Sequence, residues 1–386
     1  MKAEGFIAGR LRFKGRVAVA ATAISFFIII LAVSISEGFS RQIRKGAADI
    51  TGDILICSSG GNFFGTTDPV PSEPSFAEDI RSLHGVEDIS PIICRSGIVR
   101  KGDEIRGVLF KGSEADTVRM GARVPSALAS QLDIHPGDHV QAWFISDKIK
   151  VRKFKVIEIY DSIIDNDDGL IIKTSASDMR RLNGWGDSDA SALEVTLSPS
   201  SRDRKSMKTL TQEINAVIYA SPDENESGLG ALSASERFPQ LFDWLDLIDY
   251  NVIAILVLMT IVAGFNMVSG LLILLFRNIS TIGTLKTLGM KDRDIAGVFL
   301  RVGARISLKG MLIGNGAALL FCAVQGLTGV IRLDPANYFI SYVPVSIDPL
   351  RIILTDAAAF IAIQLLLLIP SLFISKIDPS LTVKAE

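Results

Sequence analysis

One uncharged apolar stretch, Val17–Ser36, stands apart from three more, Tyr250–Phe276, Gly310–Ile331 and Ala357–Ser375, with about two hundred residues of mixed character between the first and second. At the ~1.5 Å rise of a helix, each stretch approaches or exceeds the ~30 Å hydrocarbon core of a bilayer. Such runs have few ways to fold, because backbone polar groups inside lipid must be satisfied within helices or closed barrels. The expected fold is an α-helical membrane protein with four transmembrane helices and a large domain inserted between helices 1 and 2. A content of 48% hydrophobic residues fits a partly lipid-embedded chain, and a net charge of -2 offers no basic surface for nucleic acid.

Basic residues are retained on the cytoplasmic side of a bilayer, so their placement sets the orientation. Lys2, Arg10, Arg12, Lys14 and Arg16 precede the first stretch, and Arg277, Lys286, Lys291, Arg293, Arg301, Arg305 and Lys309 separate the second from the third. Only Arg332 and Arg351 lie between the third and fourth. Both termini are therefore expected in the cytoplasm and the long insert outside it. A cleaved leader is the alternative for the first stretch, but its length and a cleavage-like Ser34-Ile35-Ser36 without Ala favour an uncleaved anchor. The expected division is 1–16 a cytoplasmic N-terminal helix, 17–36 first span, 37–249 exported, 250–276 second span, 277–309 cytoplasmic, 310–331 third span, 332–356 a short outer loop, 357–375 fourth span and 376–386 a cytoplasmic tail.

Within the insert, β-branched runs predict strands at Ile50–Cys57, Ile89–Arg100, Ile105–Lys111, His139–Ile145, Ile149–Tyr160, Gly169–Lys173 and Ala192–Leu197. Helices are expected over Phe76–Leu83, Pro125–Leu132 and Asp203–Ile218, giving an α+β module of one or two lobes. Ser58–Ser75, rich in Gly, Pro, Ser and Thr, reads as a loop. Phe238, Leu241, Phe242, Leu245 and Ile248 repeat at helical spacing, so the second span is expected to begin as a helix within the exported domain. Cys57 and Cys94 are chemically able to bridge outside the cytoplasm, yet two cysteines without framework spacing read better as small buried hydrophobes.

Catalytic patterns are sparse. The chain contains no G-x-x-x-x-G-K-[ST] phosphate loop, so ATP chemistry by that route falls to another subunit. His135 and His139 are spaced as a helical metal pair, but Pro136-Gly137 between them predicts a turn into a strand. Asp165-Asn166-Asp167-Asp168-Gly169 lacks the alternating ligands and terminal Glu of a calcium loop, and Asn225-Glu226-Ser227 matches a glycosylation acceptor only formally. No metal and no resident cofactor are expected. Asn266, Gln325 and Gln364 are amides inside spans, expected to bond between helices rather than line a solute path. Gly310, Gly314 and Gly316 predict close helix approach, and Asp356 is expected at a helix entrance, with no charge at mid-depth in any span.

The segment after the second span carries the most specific pattern. Ile279, Ile282, Leu285, Lys286, Leu288 and Gly289, followed by Met290, Lys291, Ile295 and Phe299, form a short amphipathic helix ended by glycine and a second helix leading into the third span. This resembles the cytoplasmic coupling helix of the FtsX-type (type VII) ABC permeases, with Met290 where a small residue is usual. The Ser34–Phe39 end of the first span, Ala263-Gly264-Phe265-Asn266-Met267, Tyr342-Val343-Pro344-Val345 and Ile377-Asp378-Pro379-Ser380 resemble motifs of the lipoprotein-releasing branch, LolC and LolE.

That resemblance implies a permease subunit without its own ATP-hydrolysing site, in the bacterial inner membrane, with a MacB-like periplasmic domain. It implies a cytoplasmic ABC ATPase that binds the ATP, a second permease copy or relative, a lipoprotein substrate and a periplasmic carrier. ATPase coupling would fall to Ile279, Ile282, Leu285, Lys286, Leu288 and Gly289. A lateral substrate entrance between spans one and two would fall to Phe27, Ile30, Phe39, Phe265 and Asn266. Motion would pass by mechanotransmission through the extended second span. A MacB-like efflux permease for peptides or drugs, and an FtsX-like regulator of cell-wall hydrolases that transports nothing, share the scaffold and stay open.

Overall fold

The computed structural model describes residues 16–58, 69–102, 104–145, 149–162, 170–220, 226, 228–334, 340 and 342–371. The expected N-terminal helix up to residue 15, the acidic turn at 165–169, most of the Asn225 acceptor motif, the central part of the 58–75 loop and the Ile377–Ser380 tail motif lie outside them. The chain divides into two compact units, one of Met1–Phe39, Asp246–Ile331 and Val343–Glu386, the other of Ser40–Leu245 with Arg332–Tyr342.

In chain order, helix α1 (Arg16–Thr51) leads to β1 (Ile54–Ser58), β2 (Val70–Pro71), α2 (Ala77–Arg81), β3 (Val86–Lys101), β4 (Glu104–Ser113) and β5 (Gly121–Pro125). Then come α3 (Ser126–Gln131), β6 (His139–Phe144), β7 (Lys150–Tyr160), β8 (Ile171–Ser175), α4 (Ala176–Asn183), β9 (Asp189–Ala190) and β10 (Ala192–Leu197). After α5 (Arg204–Ala220), β11 (Leu229–Ser233) and α6 (Ala234–Arg237) follow the long helices α7 (Pro239–Arg277), α8 (Ile279–Thr287), α9 (Asp292–Thr328), α10 (Pro349–Leu366) and α11 (Leu368–Ser371). Among the described residues, four helical segments, Arg16–Thr51, Pro239–Arg277, Asp292–Thr328 and Pro349–Ser371, are long and apolar enough to cross a membrane. The fold is thus four membrane helices with an α+β domain inserted between the first and second.

The inserted domain is built on one nine-stranded sheet, ordered β11-β1-β10-β3-β4-β8-β5-β7-β6, in which β6 also pairs with β3. That last pairing, Ile98 opposite Trp143 and Arg100 opposite Gln141, closes six strands into a ring. Closure removes the free edge that β6 would otherwise present as a template for association. Inside the ring, Phe110 stacks 4.8 Å from Phe144 and 5.1 Å from Phe154, and a Cβ at Gly97 would come within 2.9 Å of the Phe144 ring. The sixteen residues of β3 serve both lobes, pairing with β10 through Val86–Ile92 and with β4 through Ile92–Lys101.

Several elements differ from the sequence expectation, each for a local reason. Ile50 belongs to α1 rather than to a strand, because Ile43, Ala47 and Ile50 are all buried at helical spacing. Gly52, at φ +73, ends the helix, its N–H donating to the Ala48 carbonyl at 2.7 Å. Strands β5 and β11 and helix α4 were not expected at all. Cys57 and Cys94 are free and buried. They sit on β1 and β3 with β10 between, so at ~4.8 Å per strand spacing their backbones are too far apart to bridge.

The helical unit packs Phe26, Ile29 and Ile30 of α1 against Ala263, Met267 and Leu271 of α7, Val298, Phe299 and Val302 of α9, and Ala359 and Ile363 of α10. Glycine makes the closest seam, since a Cβ at Gly310 would strike Thr22 at 2.7 Å and one at Gly314 would meet the Ala23 carbonyl oxygen and Phe26. Gly316, expected in the same strip, faces open space. Asp356 is not at a helix entrance. Asp348 caps α10, accepting from the Leu350 and Arg351 amides at 3.0 and 3.3 Å, which puts Asp356 two turns inside the helix and buried. Gln325 does not bond between helices. Its amide donates to the carbonyls of Ile331 and Val343 and accepts from the Ile331 N–H, clasping the chain that follows α9.

Candidate coupling helix and membrane groove

Helix α8 is nine residues long and lies between α7 and α9 in sequence. Asn278 interrupts the preceding helix, its side-chain amide donating to the Leu274 carbonyl at 2.8 Å. Gly289, at φ +86, supplies the left-handed residue that ends the turn after α8. Ile282 is fully buried in the bundle core, and Leu285 and Met290 pack against that core as half-buried side chains. Met290, the departure from the small residue usual at this place, thus fills space beside the bundle. Lys286 is held to Asp292 at 2.9 Å and is itself mostly covered. Ile279 at 37% and Leu288 at 79% exposure are the large apolar residues that the segment leaves uncovered. The six residues expected to couple therefore divide into a seat, Ile282 with Leu285, a clamp in Lys286, a terminator in Gly289, and an outward pair, Ile279 and Leu288.

The five residues expected at a lateral entrance do not share one surface. Ile30 and Phe39 are buried, Phe27 is half-buried and meets Phe321 edge-on at 6.3 Å, whereas Phe265 and Asn266 are exposed. The feature that sequence reasoning missed is an apolar groove of about 800 Å³ lined by Leu256, Thr260 and Ile261 of α7, Leu354 and Ala358 of α10, and Ile29 of α1. Its only signal in the sequence is the helical repeat of aliphatic residues on α7 and α10, which does not say which face is covered.

A second missed feature is a polar knot where residues 34–38 of α1 meet α7 at Asp249, nearly three turns into that helix, and the approach to α10. Ser36 donates to Asp249 at 2.7 Å, Arg351 pairs with the buried Glu37, and the Ser346 N–H donates to the Ser34 carbonyl at 3.0 Å. Gly38 is required there, because a Cβ would collide with the Pro344 carbonyl. The Ser34–Phe39 motif and the Val343-Pro344-Val345 loop are thus neighbours in space.

The inserted domain carries its own buried charge. Lys111 meets Glu194 at 2.6 Å and also donates to the Asp49 carbonyl. Burial raises the Glu194 carboxyl above its ordinary value, and Lys111 pulls it part of the way back. Burial likewise raises Asp53, although the Leu197 amide and Arg202 both stabilise its charged form. Desolvation pushes the Cys94 thiol up to about 12, so it is inert as a nucleophile. His135 and His139 flank a turn in which Gly137 adopts φ +94 and the His135 N–H donates to Asp138, and His139 opens β6 as expected. Among the described residues, no group of three or more His, Cys, Asp or Glu is arranged to hold a metal ion.

Residues 253–379 match the FtsX-like permease C-terminal family. Nearly the whole chain is similar to the lipoprotein-releasing system transmembrane protein LolC of Neisseria meningitidis, 22% identical over 98% of this chain and 95% of the relative. It is also similar to LolE of Haemophilus influenzae, 20% identical over 93% of this chain and 91% of the relative. Among solved structures, the periplasmic region of MacB from Actinobacillus actinomycetemcomitans aligns at 13% identity and TM-score 0.31, covering 52% of this chain and 95% of that one. The extracellular domain of the ABC-type transporter YknZ from Gram-positive bacteria aligns at 12% identity and TM-score 0.29, covering 47% and 99%.

Proposed function

This chain is an FtsX-type ABC permease similar to LolC and LolE, and from that premise we propose that it is the membrane subunit of an ATP-driven complex that releases lipoproteins from the outer leaflet of the bacterial inner membrane. The observation that carries the reading is α8, a short helix seated through Ile282 and presenting Ile279 and Leu288 outward. An apolar pair left exposed beside basic residues is what a partner ATPase needs in order to push on the bundle. In this reading ATP is bound and hydrolysed by that partner, a second permease completes the unit, and both termini face the cytoplasm.

Extraction is the energetically demanding step. Each buried acyl CH₂ stabilises the membrane-bound state by ~0.8 kcal/mol, so a cargo with several chains does not leave unaided. The work passes from the ATPase through α8 into the bundle by mechanotransmission, and the exported domain hands the cargo to a carrier. Depletion of the protein tests this reading: outer-membrane lipoproteins should accumulate in the inner membrane. Normal sorting of lipoproteins after depletion overturns the cargo assignment, whereas the permease assignment would stand on its own.

A further inference from the structure

Asp356 is a buried carboxyl on α10, and its environment is unusual. It lies eight residues into α10, ~10 Å along the helix from Pro349, and its partner Asn315 lies thirteen residues before the end of α9, ~20 Å from Thr328. Both therefore lie inside helical segments long and apolar enough to cross a membrane. Asn315 donates from Nδ2 to Asp356 Oδ2 at 2.5 Å. The remaining oxygen of each group, Asp356 Oδ1 and Asn315 Oδ1, is buried and accepts no hydrogen bond.

Two bare acceptors belonging to one hydrogen-bonded pair share a simple remedy. A carboxylic acid and a primary amide pair reciprocally, the amide N–H donating to one acid oxygen and the acid O–H donating to the amide oxygen. One proton on Asp356 Oδ1 supplies the missing donor. Turning the amide over does not remove the need, because it would set two oxygens against each other. Among the described residues no compensating charge is at hand: Val17–Ser36, Tyr250–Phe276 and Gly310–Ile331 contain no charged residue, and Arg351 on the same helix, five positions away, is paired with Glu37. An ionised carboxylate here would be buried against apolar helices with a single neutral donor, at a cost of several kcal/mol.

We propose that Asp356 and Asn315 form a proton-binding site within the membrane, a neutral acid–amide clasp joining α10 to α9. Loss of that proton leaves a buried charge between the two helices and loosens their packing. The site thereby links the bundle to pH, independently of what the permease carries.

The variant Asp356→Asn mimics the protonated state, since a second amide makes the same reciprocal pair with a permanent donor. The full chain is reconstituted in lipid nanodiscs, and infrared difference spectra are taken at neutral pH against D356N. A protonated-carboxyl C=O band present in the wild type, absent in D356N and displaced in Asn315→Leu is the expected result. A carboxylate band in its place overturns the proposal. Thermal unfolding gives the second reading: relative to D356N, the wild-type unfolding constant should rise by up to about tenfold per pH unit as pH increases, because the folded state holds the extra proton. A wild-type to D356N ratio that is flat in pH contradicts the site. Stabilisation of the wild type, but not of D356N, by sodium over choline would assign the bare oxygens to a metal cation and also overturn it. Should D356N fail to fold, Asp356→Glu keeps the acid and must move the band rather than abolish it.

Discussion

The strand ring of the inserted domain turns Phe110, Phe144 and Phe154 inward on one another, whereas α7 keeps Ile253, Val257, Leu258 and Phe265 exposed along its length. The same residue types thus behave oppositely in the two regions. In the ring, water expels apolar surface, so large side chains are the adhesive. In the bundle the surrounding lipid is as apolar as leucine, and helices are held instead by close glycine contact and by polar clasps. Gly310 and Gly314 supply the first, and Ser36 with Asp249, Arg351 with Glu37 and Asn315 with Asp356 supply the second. Large apolar residues therefore report folding in one region and surroundings in the other.

The largest effect that would sharpen this contrast is Phe110→Ala, expected to cost ~3–5 kcal/mol by emptying the ring core, while Phe265→Ala costs under ~0.5 kcal/mol. Denaturant unfolding followed by tryptophan fluorescence measures both, and equal losses would break the comparison. In the bundle the order of residue size inverts. Gly314→Val should destabilise by ~1–3 kcal/mol through overpacking against Ala23 and Phe26, and Gly316→Val should be nearly silent. Unfolding temperatures in nanodiscs distinguish them, and a silent Gly314→Val would remove the glycine seam from the account.

A smaller effect concerns buried charge in the inserted domain. Burial raises Glu194 above its ordinary 4.5, so the folded state holds the proton longer than the unfolded state. The contribution of this group is complete below that value and is lost as pH rises through the folded value. Glu194→Gln should flatten this falling limb of the stability profile above pH 4.5, and an unchanged slope would contradict the assignment. The smallest expected signal is at the cysteines. Cys57 and Cys94 should resist maleimide in the folded protein at mildly alkaline pH and react fully after unfolding, with no mobility shift on reduction.

Much of this organisation was legible in the sequence, and its gaps have physical causes. The four spans announced themselves because lipid demands uninterrupted apolar runs. The extension of α1 to Thr51 was hidden, since Arg41, Arg44 and Lys45 break the hydropathy while Ile43, Ala47 and Ile50 keep the helical period. Arg123 and Pro125 disguised β5, which pairs through its backbone with β7 and β8. A charge ends an apolar window, so Asp356 reads as a boundary in the sequence. The true start lies at Asp348, whose carboxylate accepts two backbone N–H groups.

The candidate site divided in the same way. The period and terminal glycine of α8 were readable, but which of its apolar residues point inward was not, because Ile282 and Leu288 differ only in what packs over them. The polar knot joins Ser36 to Asp249 across 213 positions of sequence, a separation over which no local pattern operates.

That inside and outside difference on α8 supports the most direct test of the account. Leu288→Asp and Ile282→Asp are expressed in the intact chain, and membrane insertion, folding and recovery of the cytoplasmic ATPase with the purified permease are measured together. Leu288→Asp should insert and fold as the wild type does and lose the ATPase, while Ile282→Asp should fail to fold because its charge enters the bundle core. Full ATPase recovery with a folded Leu288→Asp chain would contradict the assignment of α8 as the place where the ATPase engages this permease.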